Sequence, residues 1–272
     1  MTNVLEKIVN QKKIDILNVK KKYTNDLLSS LIKQNKSYIN FENRITDNIK
    51  QNKISVIAEI KKASPSAGLI IKQYNPTTIA ENYILNGASC LSILTEEKFF
   101  LGDLQHITDV KNKFKIPILC KDFFIDTYQI PLAKSYGADA ILIILSGVDN
   151  KLAMDLYQTA NELSVTSIVE VHTPDEAEKA LNFDKAIIGI NNRNLKNLKT
   201  DIKTTLQLYK ILSSHSCPII SESGIKSEKD VKEIIDKTGI LNLFLTSVIC
   251  CKLPKKNFSS VKIDEQVAPF KI

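Results

Sequence analysis

Short, strongly apolar runs recur along this chain, separated by amphipathic stretches with a helical period. The runs are 54–60 (ISVIAEI), 89–95 (SCLSILT), 117–123 (PILCKDF), 139–144 (DAILII), 167–171 (SIVEV), 186–192 (AIIGINN), 218–223 (PIISES) and 241–247 (LNLFLTS). Each is the length of a strand, and their near-continuous apolarity fits strands buried on both faces. The intervening segments read as helices: Pro76 leading into Thr77–Leu85, then Tyr128–Ser135, Lys151–Leu163, Pro174–Leu181, Asp201–Leu212 and Lys226–Lys237. Thr173 followed by Pro174 is an N-cap with proline at the first helical position. Eight β/α units in about 200 residues predict a single (β/α)8 TIM barrel rather than a doubly wound sheet. No G-x-G-x-x-G follows the first strand, which weakens a dinucleotide-binding reading.

The first ~45 residues are polar and helical in period. Asn3 with Glu6 fits a capping box, and Leu5, Ile8, Val9, Ile14, Ile16 and Leu17 make an imperfect apolar stripe. The expected organisation is an N-terminal helical extension over residues 1–45, packed on one barrel domain over 46–272. With the eighth run ending near residue 247, no second barrel is expected to follow.

Composition narrows the class. The chain of 272 residues is 43% hydrophobic and 25% charged, as in ordinary soluble globular proteins. The longest apolar run, Ala140–Leu145, is too short to span a bilayer, and the Lys-rich N-terminus lacks the apolar core of a signal peptide. A cytoplasmic protein is expected. Cys90, Cys120, Cys217, Cys250 and Cys251 show no C-x-x-C spacing and read as reduced, mostly buried thiols. With His106, His172 and His215 scattered, no metal set assembles at recognisable spacing. The net charge of +7 comes almost wholly from lysine on helix-like segments. That pattern excludes a basic, aromatic-interleaved nucleic-acid surface, while favouring attraction of a small anionic substrate.

Candidate chemistry lies at strand ends, where barrel active sites form. Side chains alternate along a strand, so Glu59 and Lys61 share a face, as do Lys121 and Phe123, and Asn191 and Arg193. Glu170 stands between Val169 and Val171, and SESG (221–224) ends the seventh run with a glycine turn. Any one of these pairs reads equally well as a structural ion pair at the barrel mouth. Two lysines, two glutamates, an asparagine and an arginine converging on one pocket is more desolvated charge than structure requires. Such crowding is expected to tune a lysine acid and a carboxylate base towards neutrality.

IAEIKKASPSAG (57–68), LTEEKFFLGDLQHI (94–107), PILCKDFFIDTYQI (117–130), VEVHTPDEAEKAL (169–181), IIGINNRNL (187–195) and SESGI (221–225), in this order and spacing, resemble the indole-3-glycerol phosphate synthase family. The similarity extends to VLEKIVNQKK at the N-terminus. It implies a lyase of tryptophan biosynthesis that closes the pyrrole ring of 1-(2-carboxyphenylamino)-1-deoxyribulose 5-phosphate, losing carbon dioxide and water, with no metal or organic cofactor. It further implies Lys121 as general acid of ring closure, and Lys61 as carboxylate contact and dehydration acid partnered by Glu59. Glu170 would be a second proton-transfer carboxylate, and Asn191 would orient hydroxyls. Phe100, Phe123 and Leu142 would wall the aromatic end, with Arg193 holding an anion or a neighbouring carboxylate. Glu222 would contact substrate, and Ser64, Ser223, Gly224 and Ser247 would grip phosphate. One departure stands out: Thr246–Ser247 occupies a position where the family usually has glycine before a small or acidic residue, and threonine crowds a phosphate that glycine would admit. The alternatives are another phosphosugar barrel enzyme, or a weakened barrel serving as a pathway scaffold. A monomer or weak homodimer, able to associate with other enzymes of the pathway, is expected, without nucleic-acid or membrane partners.

Overall fold

The computed structural model describes residues 4–35, 37–194 and 199–245. Eight parallel strands close into a barrel: β1 (Ser55–Ile60), β2 (Cys90–Leu94), β3 (Ile118–Lys121), β4 (Ala140–Ile144), β5 (Thr166–Val171), β6 (Ile187–Asn191), β7 (Ile219–Glu222) and β8 (Asn242–Leu245). Each predicted run supplies one strand; most are shorter than the run by a residue or two, while β5 begins one residue earlier, at Thr166. Neighbours in the barrel are neighbours in sequence, and closure comes from β1 pairing with β8, Ser55 opposite Asn242 and Ala58 opposite Leu245. The helices α4 (Pro76–Leu85), α5 (Gln105–Lys111), α6 (Gln129–Ser135), α7 (Asn150–Glu162), α8 (Pro174–Ala180), α9 (Lys203–Leu212) and α10 (Glu228–Thr238) follow the strands. The helix α5 is additional to the helices expected from sequence.

Three helices precede the barrel: α1 (Val4–Lys22), α2 (Asn25–Gln34) and α3 (Phe41–Lys50). The expected division at residue 45 falls inside α3. Strand alternation creates two cores. Val56, Ala58 and Ile60 face outward into the layer between strands and helices. Ile57, Cys90, Leu119, Leu142, Ile168, Ile187, Ile220 and Phe244 face inward and meet Phe41 and Ile45 of α3. Helix α3 thus plugs the N-terminal mouth, leaving the opposite mouth for chemistry. Asn3 and residues 246–272, including Thr246, Ser247, Cys250 and Cys251, lie outside the described residues.

Helix α1 crosses the chemical end. Its buried residues are Ile8, Lys12 and Ile16, while Ile14 and Leu17 face solvent. The apolar stripe therefore contains a lysine, and the reason is across the interface. Lys12 Nζ lies 2.7 Å from Asp122 Oδ1, with both side chains 9% exposed. Burial alone would lower the Lys12 pKa, but Asp122 and, further off, Glu96 hold it above the ordinary value. Breaking a buried pair strands the remaining charge. Lys12→Ala is therefore expected to cost roughly 3–5 kcal/mol of stability, read as a lower urea midpoint at unchanged m-value.

Candidate active site

The pocket at the C-terminal mouth has a volume of about 290 Å³. Its wall brings together Glu59, Lys61, Ser64, Phe100, Lys121, Phe123, Leu142, Glu170, Asn191, Arg193, Glu222 and Ser223, closed over by Val4, Leu5 and Ile8 of α1. Of the residues expected from sequence, Gly224 stands one position behind the wall, and Ser247 is outside the described residues.

Lys121 is the centre of the charge cluster. Its Nζ lies 3.1 Å from Glu170 Oε2 and 3.7 Å from Glu222 Oε2, and 5.1 Å above the Phe244 ring. Parity explains the convergence: Lys121 ends β3 inward, while Cys120 and Asp122 turn into the helix layer. The expectation that crowding draws this lysine towards neutrality is corrected. Burial alone would lower its pKa, but Glu170, Glu222 and Glu59 outweigh it and hold the ammonium firmly protonated.

The two acids beside it are unlike. For Glu170, burial pushes the pKa up, and Lys121 and His172 overcome this to hold it far below the carboxylate range. Glu222 is pushed up to about 8 by burial, against Lys121 and with the nearby Glu170 charge. At neutral pH the cluster is an ammonium, a carboxylate and a neutral carboxylic acid, the outcome expected when two acids compete for one cation. Glu59 and Lys61, two residues apart on the inward face of β1, form their own ion pair at the rim.

The aromatic wall is held from below. The Phe100 and Phe123 rings are 6.1 Å apart and tilted by 39°. Glu96, fully buried, accepts hydrogen bonds from the backbone N–H groups of Lys98, Phe99 and Phe100, capping the single helical turn Glu97–Phe100. Across the mouth, Asn191 Oδ1 accepts from the Arg193 N–H at 2.9 Å. Asn192 Nδ2 donates to the Ser223 carbonyl oxygen at 3.1 Å, pinning a turn in which Ser223 and Gly224 have φ of 64° and 73°. Ser64 sits in a short antiparallel pair, Ala63–Ser64 with Gly68–Leu69, where its Oγ accepts from the Ala67 N–H.

Residues 5–247 match the family described as indole-3-glycerol phosphate synthase. The chain belongs to the indole-3-glycerol phosphate synthase family. A curated relative of that name from Legionella pneumophila (strain Lens) is 44% identical over 245 residues, covering 90% of this chain and 92% of its own. Another, from Prochlorococcus marinus subsp. pastoris, is 42% identical over 238 residues, covering 85% of this chain and 80% of its own. Among solved structures, an aldolase from Escherichia coli K12 shares the fold with a TM-score of 0.54 at 14% identity, over 79% of this chain and 83% of its own.

Three supporting residues carry no clear signal of their own in the sequence. Glu96 was hidden beside a second acid, Glu97, with nothing local to show which one turns inward. Asn192 stands beside Asn191 on the opposite parity, with no local sign of its partner Ser223. His172 assembles no metal set by spacing, yet it shares the inward parity of Glu170 two residues before it. A further signal was available in Gly189, opposite Glu170 in the β5–β6 register. A Cβ there would stand 1.9 Å from Glu222 Oε1. The missing side chain is the space that the Glu222 carboxyl occupies. Gly189→Ala is expected to displace Glu222 and cut kcat by about tenfold to a hundredfold, at a cost of about 1–3 kcal/mol in stability. Steady-state kinetics and thermal melting of the same preparation check both.

Proposed function

We propose that this pocket closes the indole ring of 1-(2-carboxyphenylamino)-1-deoxyribulose 5-phosphate, with Lys121 as the acid that receives the carbonyl oxygen. The observation carrying this reading is the Lys121 ammonium held between Glu170 and Glu222 at the pocket floor. The ring carbon bearing the carboxylate attacks the ketone carbon, and the ketone oxygen acquires alkoxide character. A lysine kept above its ordinary pKa is a weak acid towards water but is matched to an alkoxide. Loss of carbon dioxide returns the breaking bond's electron pair to the ring and restores its aromaticity. The hydroxyl then leaves as water, with a proton from Lys61, while a carboxylate removes the proton that completes the pyrrole.

Glu170, ionised and 3.1 Å from Lys121, suits the base; Glu59 holds Lys61 in an ion pair at the rim. The Phe100–Phe123 wall and Leu142 would take the anthranilate ring, Asn191 and Glu222 the sugar hydroxyls, and Arg193 an anion. Ser64 with the left-handed Ser223–Gly224 turn would receive the phosphate. We read the helices before β1 as an extension on one catalytic barrel. The protein would act in the cytoplasm as a monomer or weak homodimer able to associate with other enzymes of tryptophan biosynthesis. Mixing purified protein with the carboxyphenylamino-deoxyribulose phosphate should produce indole fluorescence at a rate proportional to enzyme. A folded wild-type protein that yields none would overturn the reading.

A further inference from the structure

A second ion pair stands on the oxygen of Glu170 that Lys121 does not reach. His172 follows Glu170 on the same face of β5, its side chain 7% exposed, with Nε2 3.3 Å from Glu170 Oε1. The contact is an ion pair rather than an aligned hydrogen bond. The other ring nitrogen, Nδ1, lies 3.3 Å from Glu176 Oε2 on α8, and the same oxygen accepts the His172 backbone N–H at 2.7 Å. Thr173 caps α8 through the Glu176 N–H, so the helix start places Glu176 against the imidazole. The charged and titratable groups facing the ring are thus Glu170 on its own strand and Glu176 on α8. Glu222 on β7 and, through Glu170, Lys121 on β3 act at longer range.

A carboxylate on each side selects the charged ring. Burial alone would lower its pKa, and Glu170 with Glu176 raise it to about 9.

Resting on the reading of Glu170 as a proton-transfer group, we propose that His172 is a positioning residue whose imidazolium, fixed by Glu176, keeps Glu170 ionised and aimed at Lys121. Lys121 alone faces competition from Glu222 for its charge. A cation on the far oxygen of Glu170 decides which of the two acids keeps the proton. His172 does not line the pocket, whereas Glu170 does, so its effect passes through Glu170.

Coupling between two sites is reciprocal, which allows a test without turnover. The protein has three histidines, and His172→Gln assigns the ring signals in an NMR titration. In wild type the His172 midpoint is expected above pH 8, and both Glu170→Gln and Glu176→Gln should lower it by about one pH unit or more. In kinetics, His172→Gln should move the acid limb of kcat upward by about one pH unit, because Glu170 without the cation takes up its proton at higher pH. KM should change less than twofold. Glu176→Gln, which keeps the ring, should shift the same limb in the same direction by less. A His172 that is neutral at pH 7, a midpoint unmoved by Glu170→Gln, or an unshifted acid limb in a folded His172→Gln would overturn the inference. Full turnover by Glu170→Gln would instead overturn the role given to Glu170, while the titration still decides whether the ion pair exists.

Discussion

Lys121→Ala is expected to lower turnover by about 10⁴-fold, the upper end of what a positioned acid contributes. Substrate binding should largely persist. The argument runs from contacts. Lys121 reaches Glu170, Glu222 and the Phe244 ring, while Phe100 and the Ser223–Gly224 turn belong to other segments and are held by Glu96 and Asn192. Truncation therefore removes the proton donor and leaves the binding surfaces standing. Single-turnover measurements under saturating substrate separate the two effects. A variant retaining most of its turnover would mean that another group protonates the carbonyl oxygen.

Glu170→Gln should cost about 10²–10³-fold in kcat. The amide keeps the shape of the acid but neither its charge nor its basicity, so Lys121 loses its nearest counter-ion and the site loses its ionised base. The two substitutions should not add. Lys121 and Glu170 are in contact at 3.1 Å and act as one unit, and neighbours of this kind show large interaction energies. The double variant Lys121→Ala/Glu170→Gln is expected to fall within about tenfold of Lys121→Ala alone. A fully multiplicative loss would show that the two groups serve separate steps.

Strand positions were legible because each barrel strand is buried on both faces and so appears as an unbroken apolar run. The parity of Glu59 with Lys61, and of Lys121 with Phe123, needed only the two-residue period of an extended chain. What stayed hidden depended on partners distant in sequence. Lys12 interrupts an apolar stripe, and nothing near it announces Asp122. The Glu176 that steadies His172 belongs to the next helix, and its approach depends on how Thr173 starts that helix. The direction of the Lys121 shift was also out of reach. Sequence shows that acids lie nearby, but distance and count decide whether they outweigh burial.

The seam between β1 and β8 has a consequence for synthesis of the chain. Ser55–Ala58 can find their partners only after Asn242–Leu245 have left the ribosome. Until then β1 and β7 each expose an open hydrogen-bonding edge, the surface on which unfinished chains stick to one another. Phe244, over which Lys121 sits, also arrives with that last strand. Nascent chains stalled before it are therefore the form most in need of a chaperone.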